Sequence, residues 1–240
     1  LFVYGIWKKE SYKEFINTGL IFGMIITLSL IISLWGSELN DLGGDVIVHW
    51  GLIVRGMLKF NRFPDTLDTV IHYQAYPMGT SVIIYYFSKI CGGTYATWRV
   101  ANNMILIAAM LPAFAFIQNN RIINSIMTIA GCCFFLNYNL GCTGLMVDNI
   151  LPVSGLAALM FAYYYRNELK EHVWLLSFML CFVVYIKNSG VFFAAMACII
   201  PLIILIKDRD IKSCIILVVS PVLSFYLWKR HYTFVFPYGG

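Results

Sequence analysis

The sequence predicts an all-α integral membrane protein, and three observations carry that expectation. Hydrophobic residues make up 60% of the 240 positions, charged residues only 12%, and the mean hydropathy is +0.76. A water-soluble fold could not bury that much apolar surface. Apolar runs close to the ~20 residues needed to cross the hydrocarbon core recur along the chain, and the charges gather in the gaps between them. The pattern predicts about seven transmembrane helices, with further interfacial helices in a large first exoplasmic loop at about 37–96. Residues 1–240 then form one transmembrane domain.

The first long apolar run, 15–36, has Lys8, Lys9 and Lys13 before it and Glu38, Asp41 and Asp45 after it. Positive charge favours the cytoplasmic side, which puts the N-terminus inside. The run lacks a small-residue cleavage site, so it is expected to be a retained helix and not a signal peptide. The segment 37–93 is mixed in polarity, contains Gly43-Gly44, Pro64 and Pro77, and has no uninterrupted spanning stretch. Within it Val46, Ile47, Trp50, Ile53, Val54, Met57 and Leu58 recur at helical spacing, with Arg55 and Lys59 between them. That describes an amphipathic helix lying on a membrane surface. A second short helix is expected over 79–90. At this length it reads as interfacial or re-entrant, with a tilted crossing as the alternative.

The remaining spans are expected at 97–117, 122–138, 150–165, 172–186, 190–206 and 211–228. If the 79–90 helix does not cross, Arg121, Arg166, Lys170, Lys207, Arg209 and Lys212 all fall on the cytoplasmic side, in accord with the positive-inside tendency. The chain begins at Leu1 and stops at Gly240 just after the polar run Lys229-Arg230-His231-Tyr232, so a longer protein truncated at the C-terminus is expected.

Composition also narrows function. The net charge is +5, but the 17 Lys and Arg are spread between the apolar runs, singly or in short pairs, and make no basic stripe, which argues against nucleic acid. The seven cysteines contain no C-x-x-C pair, and Cys132, Cys133, Cys181, Cys198 and Cys214 fall in apolar runs as small core residues. The histidines at 49, 72, 172 and 231 have no paired metal spacing, so no zinc site is expected.

The predicted topology sorts the acids. Glu10, Glu14, Glu168, Glu171, Asp208 and Asp210 sit beside cytoplasmic basic residues and read as structural. Glu38, Asp41, Asp45, Asp65, Asp68 and Asp148 fall on the exoplasmic face, where basic partners are fewer. Glu38, Asp41, Asp45 and His49 are spaced by three or four, so a helix or a turn at Gly43-Gly44 brings them together. Such carboxylates can act as a general base toward a hydroxyl, or hold a divalent metal ion through oxygen ligands; an ordinary solvated loop is the plainer reading. Asp148 precedes a span and is either a helix cap or a site residue. Lys187 ends an apolar run before Asn188-Ser189-Gly190, and Arg99 opens another beside Trp98. Each can meet a lipid phosphate or simply snorkel to the interface.

Read in order, Asp45 ahead of an amphipathic helix with His49-Trp50, then Asn61-Arg62-Phe63-Pro64, then Tyr76-Pro77-Met78-Gly79-Thr80 before a short helix, resemble a known family. The chain is similar to the multispanning glycosyltransferases of the GT-C fold, which use polyprenyl-phosphate-linked sugars. In them a first exoplasmic loop carries acids, interfacial helices and often a Tyr-Pro-Pro-Gly-like turn, whose second proline is Met78 here. The resemblance extends to Arg99, Met146-Val147-Asp148 and Ile186-Lys187-Asn188-Ser189-Gly190. The family has more spans and often a soluble C-terminal domain.

The resemblance implies sugar transfer from a polyprenyl-phosphate-linked donor to a glycan, lipid or protein acceptor on the exoplasmic face of a bacterial cell membrane, with inversion at the anomeric carbon. It implies Asp45 as the base, assisted by Asp41 or Glu38 through hydrogen bonds or a metal. It implies His49, Tyr76, Arg99, Asp148 and Lys187 as substrate-binding residues, Lys187 or Arg99 seating the leaving phosphate. Two rival readings are a transporter or flippase of lipid-linked saccharides and a non-catalytic membrane subunit of polysaccharide assembly. A transporter would be expected to carry midplane acids and internal repeats, whereas these acids fall at one surface.

Overall fold

The computed structural model describes residues 49–115 except 69 and 72, residues 144–236, and single positions at 28, 123, 126 and 130. Apart from those single positions, the expected spans at 15–36 and 122–138 lie outside the described residues, as do Glu38, Asp41 and Asp45. The described part is all-helical. Its seven helices are α1 (Gly51–Phe60), α2 (Gly79–Cys91), α3 (Tyr95–Ala115), α4 (Ile150–Tyr164), α5 (Leu169–Ile186), α6 (Gly190–Lys207) and α7 (Ile211–Val235).

The amphipathic pattern ahead of Asn61 is realised in α1. Ile53, Val54 and Met57 are buried along one stripe, while Arg55 and Lys59 point outward. Asn61 ends α1 in the left-handed conformation, and its N–H donates to the Met57 carbonyl at 2.9 Å. The Tyr85 hydroxyl on α2 donates to the Asn61 side chain at 2.5 Å, tying that cap to the next helix. Between α1 and α2, Arg62 bridges Asp65 at 2.9 Å and Asp68 at 2.8 Å, and the Leu67 N–H donates to the Asp65 carboxylate. This segment therefore holds its shape through its own polar groups.

At 13 residues α2 is roughly 20 Å long, short of the ~30 Å hydrocarbon core. Gly79 opens it where a Cβ would come 2.7 Å from the Tyr185 carbonyl, so only glycine allows this approach of α2 to α5. Gly92, at φ +98°, ends it. Thr94 then starts α3, its hydroxyl accepting from the Thr97 N–H at 3.3 Å.

Among the described residues, three helices are long and apolar enough to cross a membrane: α5, α6 and α7. The fourth apolar helix, α4, is shorter at 15 residues. After Ile150 and Leu151 its buried face is built of small residues, Ser154, Gly155, Ala157, Ala158 and Ala162, which let neighbouring helices come close. A Cβ on Gly155 would meet Phe193 of α6 at 3.1 Å. Packing is not confined to consecutive helices: α4 lies against α3, α5 and α6, while α5 packs most extensively on α7. The turn Lys187-Asn188-Ser189 joins α5 to α6, and a side chain at Gly190 would collide with the Val183 carbonyl. Asp210 caps α7 by accepting from the Ser213 N–H at 3.2 Å and the Ser213 hydroxyl at 2.7 Å.

The helix limits differ from the sequence expectation by three residues or more in two places. The fifth helix begins at Leu169 and not at 172, because Leu169 is buried and draws the polar Lys170-Glu171 pair into the first turn. The last continues to Val235, seven residues past 228. Lys229 and Arg230 are good helix formers. Trp228 also anchors this part of the helix by donating its indole N–H to the Ala75 carbonyl at 3.0 Å.

Candidate functional site

Four of the sequence-predicted residues meet at one end of the helix bundle. There α5 ends, α4 and α6 begin, and the 73–78 segment leads into α2. The central contact is an ion pair. The Lys187 ammonium donates to an Asp148 carboxylate oxygen at 2.6 Å, spanning the gap between the end of α5 and the start of α4. Lys187 is positioned by its extended backbone at the C-terminal cap of α5, and Asp148 by the turn that precedes Ile150. The same ammonium stands 5.5 Å from the centroid of the Tyr76 ring, a cation–π distance.

Tyr76 belongs to an aromatic cluster. His49 packs edge-on against Trp50 at 4.3 Å, Tyr76 at 5.7 Å and Tyr73 at 5.8 Å between ring centroids. Tyr73 and Tyr76 stack at 5.2 Å, and Trp50 lies parallel to Tyr76 at 6.3 Å. His49 and Trp50 are buried, whereas Tyr73 is exposed, so the cluster runs from the interior to the surface. Tyr73 reaches this stack through a left-handed backbone, φ +55°.

His49, Tyr76, Asp148 and Lys187 thus form one continuous set of contacts. Arg99 is not among these contacts. It is fully buried in the first turns of α3, its guanidinium 6.0 Å from the Tyr95 ring. Close by, Asn102 donates to the Gly144 carbonyl at 3.3 Å, which joins α3 to the segment carrying Asp148. Sequence reasoning missed Trp50 and Tyr73 as members of the cluster. Trp50 was legible only as an apolar position of an amphipathic helix, and an isolated loop tyrosine carries no periodic signal.

Beside the cluster, a largely apolar groove of about 530 Å³ runs between α2, α5 and α7. Met78, Gly79 and Tyr185 line the part nearest Tyr76, and Phe178 and Phe182 extend it along α5. Chemically, this end of the fold offers a cation held by one carboxylate, exposed aromatic faces and an adjoining apolar channel.

At the opposite end of α5, Glu168, Glu171 and His172 bring ligand atoms within 4.8 Å of one another. His172 lies on Tyr165 at 4.0 Å between ring centroids and is 3.8 Å from the Glu168 carboxylate. All three are at least partly exposed and form an ordinary solvated cluster at a helix start. Comparison with protein families, with characterised proteins and with solved structures finds no match for this chain.

Proposed function

We propose that this chain is a multi-pass membrane glycosyltransferase of GT-C type, acting at the exoplasmic face of a bacterial cell membrane on a polyprenyl-phosphate-linked sugar. The observation that carries the reading is the convergence of Lys187, Asp148, Tyr76 and His49 at one end of the bundle, beside an apolar groove. A lipid-linked sugar has three chemically distinct parts, and this end of the fold has a counterpart for each. The groove takes part of the apolar chain, the Lys187 ammonium meets the phosphate, and the aromatic faces of Tyr73 and Tyr76 lie where the sugar ring would stack.

In this scheme Asp148 holds the ammonium in place before the donor arrives and shares it afterwards, since an ammonium carries three N–H donors. As the glycosidic bond to phosphate breaks, charge grows on the leaving oxygen and Lys187 stabilises it. Asp45, with Asp41 or Glu38 alongside, takes the proton of the acceptor hydroxyl, which attacks the anomeric carbon from the opposite face and inverts it. The acceptor is a glycan, a lipid or a protein hydroxyl.

The experiment is transfer of a labelled sugar from a synthetic polyprenyl-phosphate donor by the full-length protein in liposomes. Asp45→Asn is expected to lower turnover at least a hundredfold, roughly the contribution of a positioned base, with membrane insertion unchanged. Transfer at the wild-type rate would remove Asp45 from the mechanism.

A further inference from the structure

The segment between α1 and α2 holds a second, differently built feature. Leu67 and Val70 are 80% and 68% exposed, and Phe60 and Phe63 each 50%. Four large apolar side chains exposed between Phe60, the last residue of α1, and Val70 are an uncommon thing to show to water. Its polar groups, in contrast, are satisfied internally: Arg62 is taken by Asp65 and Asp68, and the Asp68 carboxylate also accepts from the Asp65 N–H at 3.0 Å. The apolar tip is therefore preformed.

Below the tip lies a groove of about 490 Å³ between this loop and α1. Its α1 wall carries Arg55 and Lys59, one turn apart on the exposed face, and its other wall carries Leu67, Val70 and Ile71. Like charges at this spacing repel each other. The groove's own carboxylate, Asp68, is already engaged by Arg62 at 2.8 Å. The groove thus pairs an excess of positive charge with apolar walls, which is complementary to an anionic amphiphile and to neither a neutral solute nor a bare apolar chain.

Its height in the fold names the source of that amphiphile. The apolar stretch of α7 gives way at Lys229-Arg230-His231, and that turn touches the loop directly. Trp228 donates to the Ala75 carbonyl, and the Phe63 ring lies 6.3 Å from His231. For a helix that crosses a bilayer, the change from apolar to basic residues marks the headgroup layer, and Trp is enriched there. The loop and its cationic groove sit at that level.

We infer that Arg55 and Lys59, with Phe60, Leu67, Val70 and Ile71, form a binding site for an anionic phospholipid of the surrounding bilayer, with Leu67 and Val70 inserted among the acyl chains and the headgroup phosphate between the two cations. The site shares no residue with the Lys187 cluster, although neighbouring Phe63 lines the groove between α2, α5 and α7, and it does not depend on the transferase reading.

The test places a bimane fluorophore on Leu67→Cys in a cysteine-free background and reconstitutes the whole chain into phosphatidylcholine liposomes. The liposomes contain either brominated phosphatidylglycerol or the same fraction of brominated phosphatidylcholine. Brominated acyl chains are expected to quench the probe while aqueous iodide does not. Quenching by the phosphatidylglycerol should be stronger, reflecting a local enrichment of up to roughly thirtyfold for two basic side chains at an anionic surface. The double variant Arg55→Gln, Lys59→Gln should make the two lipids equal and leave the probe still shielded from iodide, which also reports that the loop is folded. Equal quenching by the two lipids without the double variant would overturn the site, as would iodide quenching without lipid quenching. A preference that survives the double variant would overturn its assignment to these side chains. Loss of the preference on adding inorganic phosphate alone would identify a free-anion site instead.

Discussion

Lys187 and Gly190 sit three residues apart and do different work. The Lys187–Asp148 pair is partly exposed, with side chains 24% and 49% accessible, and exposed ion pairs add little to stability. Lys187→Met is therefore expected to change folding stability by less than about 1 kcal/mol. If the ammonium seats the donor phosphate, the same variant should weaken donor-lipid binding by roughly an order of magnitude, the effect of losing one charge-assisted hydrogen bond. Titration of the purified protein with a fluorescent polyprenyl phosphate separates the two, and unaltered affinity would remove Lys187 from the phosphate site. Gly190 is the opposite case. A methyl group there would meet the Val183 carbonyl, a backbone atom that cannot swing aside. Gly190→Ala should cost about 2 kcal/mol or more, read as a lower unfolding midpoint in detergent, because the α5–α6 turn must open to admit it. Of these two residues only Lys187 was legible in the sequence. A lysine closing an apolar run stands out, whereas the need for glycine arises from how tightly the two helix ends approach.

At the scale of elements, the sequence was informative wherever a helix ends on a strong local signal. Pro77 ahead of Gly79, and Gly92 after Cys91, bound α2 within a residue of the expectation, and the Asn188-Ser189-Gly190 break did the same for α6. Legibility failed where tertiary contact overrides polarity. The Lys229-Arg230-His231 run reads as an ending, yet α7 passes through it because Trp228 docks on the 75–78 segment. At the start of α7, Asp210 is a capping residue of the ordinary kind. The Ser213 hydroxyl and backbone N–H hold its carboxyl below the usual range, with Lys170 and Lys212 assisting. A lowered folded-state pKa contributes stability that is present above the unfolded value of 3.8 and lost as pH falls through the lower folded value. Asp210→Ala should therefore lower the unfolding midpoint at neutral pH. The gap from wild type should narrow only as pH drops below 3.8, which thermal melts across an acid series would follow.

At the scale of the whole molecule, the described helices have the character expected of a membrane protein, with α5, α6 and α7 long and apolar enough to cross. Their alternation puts the start of α4, the end of α5 and the start of α6 on one level, which is why Asp148 and Lys187 can touch although 38 residues lie between them. That juxtaposition was half visible beforehand. Placing both residues on one side followed from counting spans and loop charges, but their direct pairing, and the aromatic cluster around Tyr76, depended on packing that no periodicity encodes. The acids Glu38, Asp41 and Asp45 come into the account through the sequence and the resemblance, and their place in it rests on sharing that side of the membrane.

Single cysteines at positions 45, 148 and 187, in a background without the native cysteines, probed on intact cells with a membrane-impermeant thiol reagent, test this most directly. One exoplasmic site predicts labelling at all three positions without permeabilisation. Labelling at 45, with 148 and 187 protected until the membrane is opened, would place the proposed base and the phosphate seat on opposite faces and would contradict a shared site.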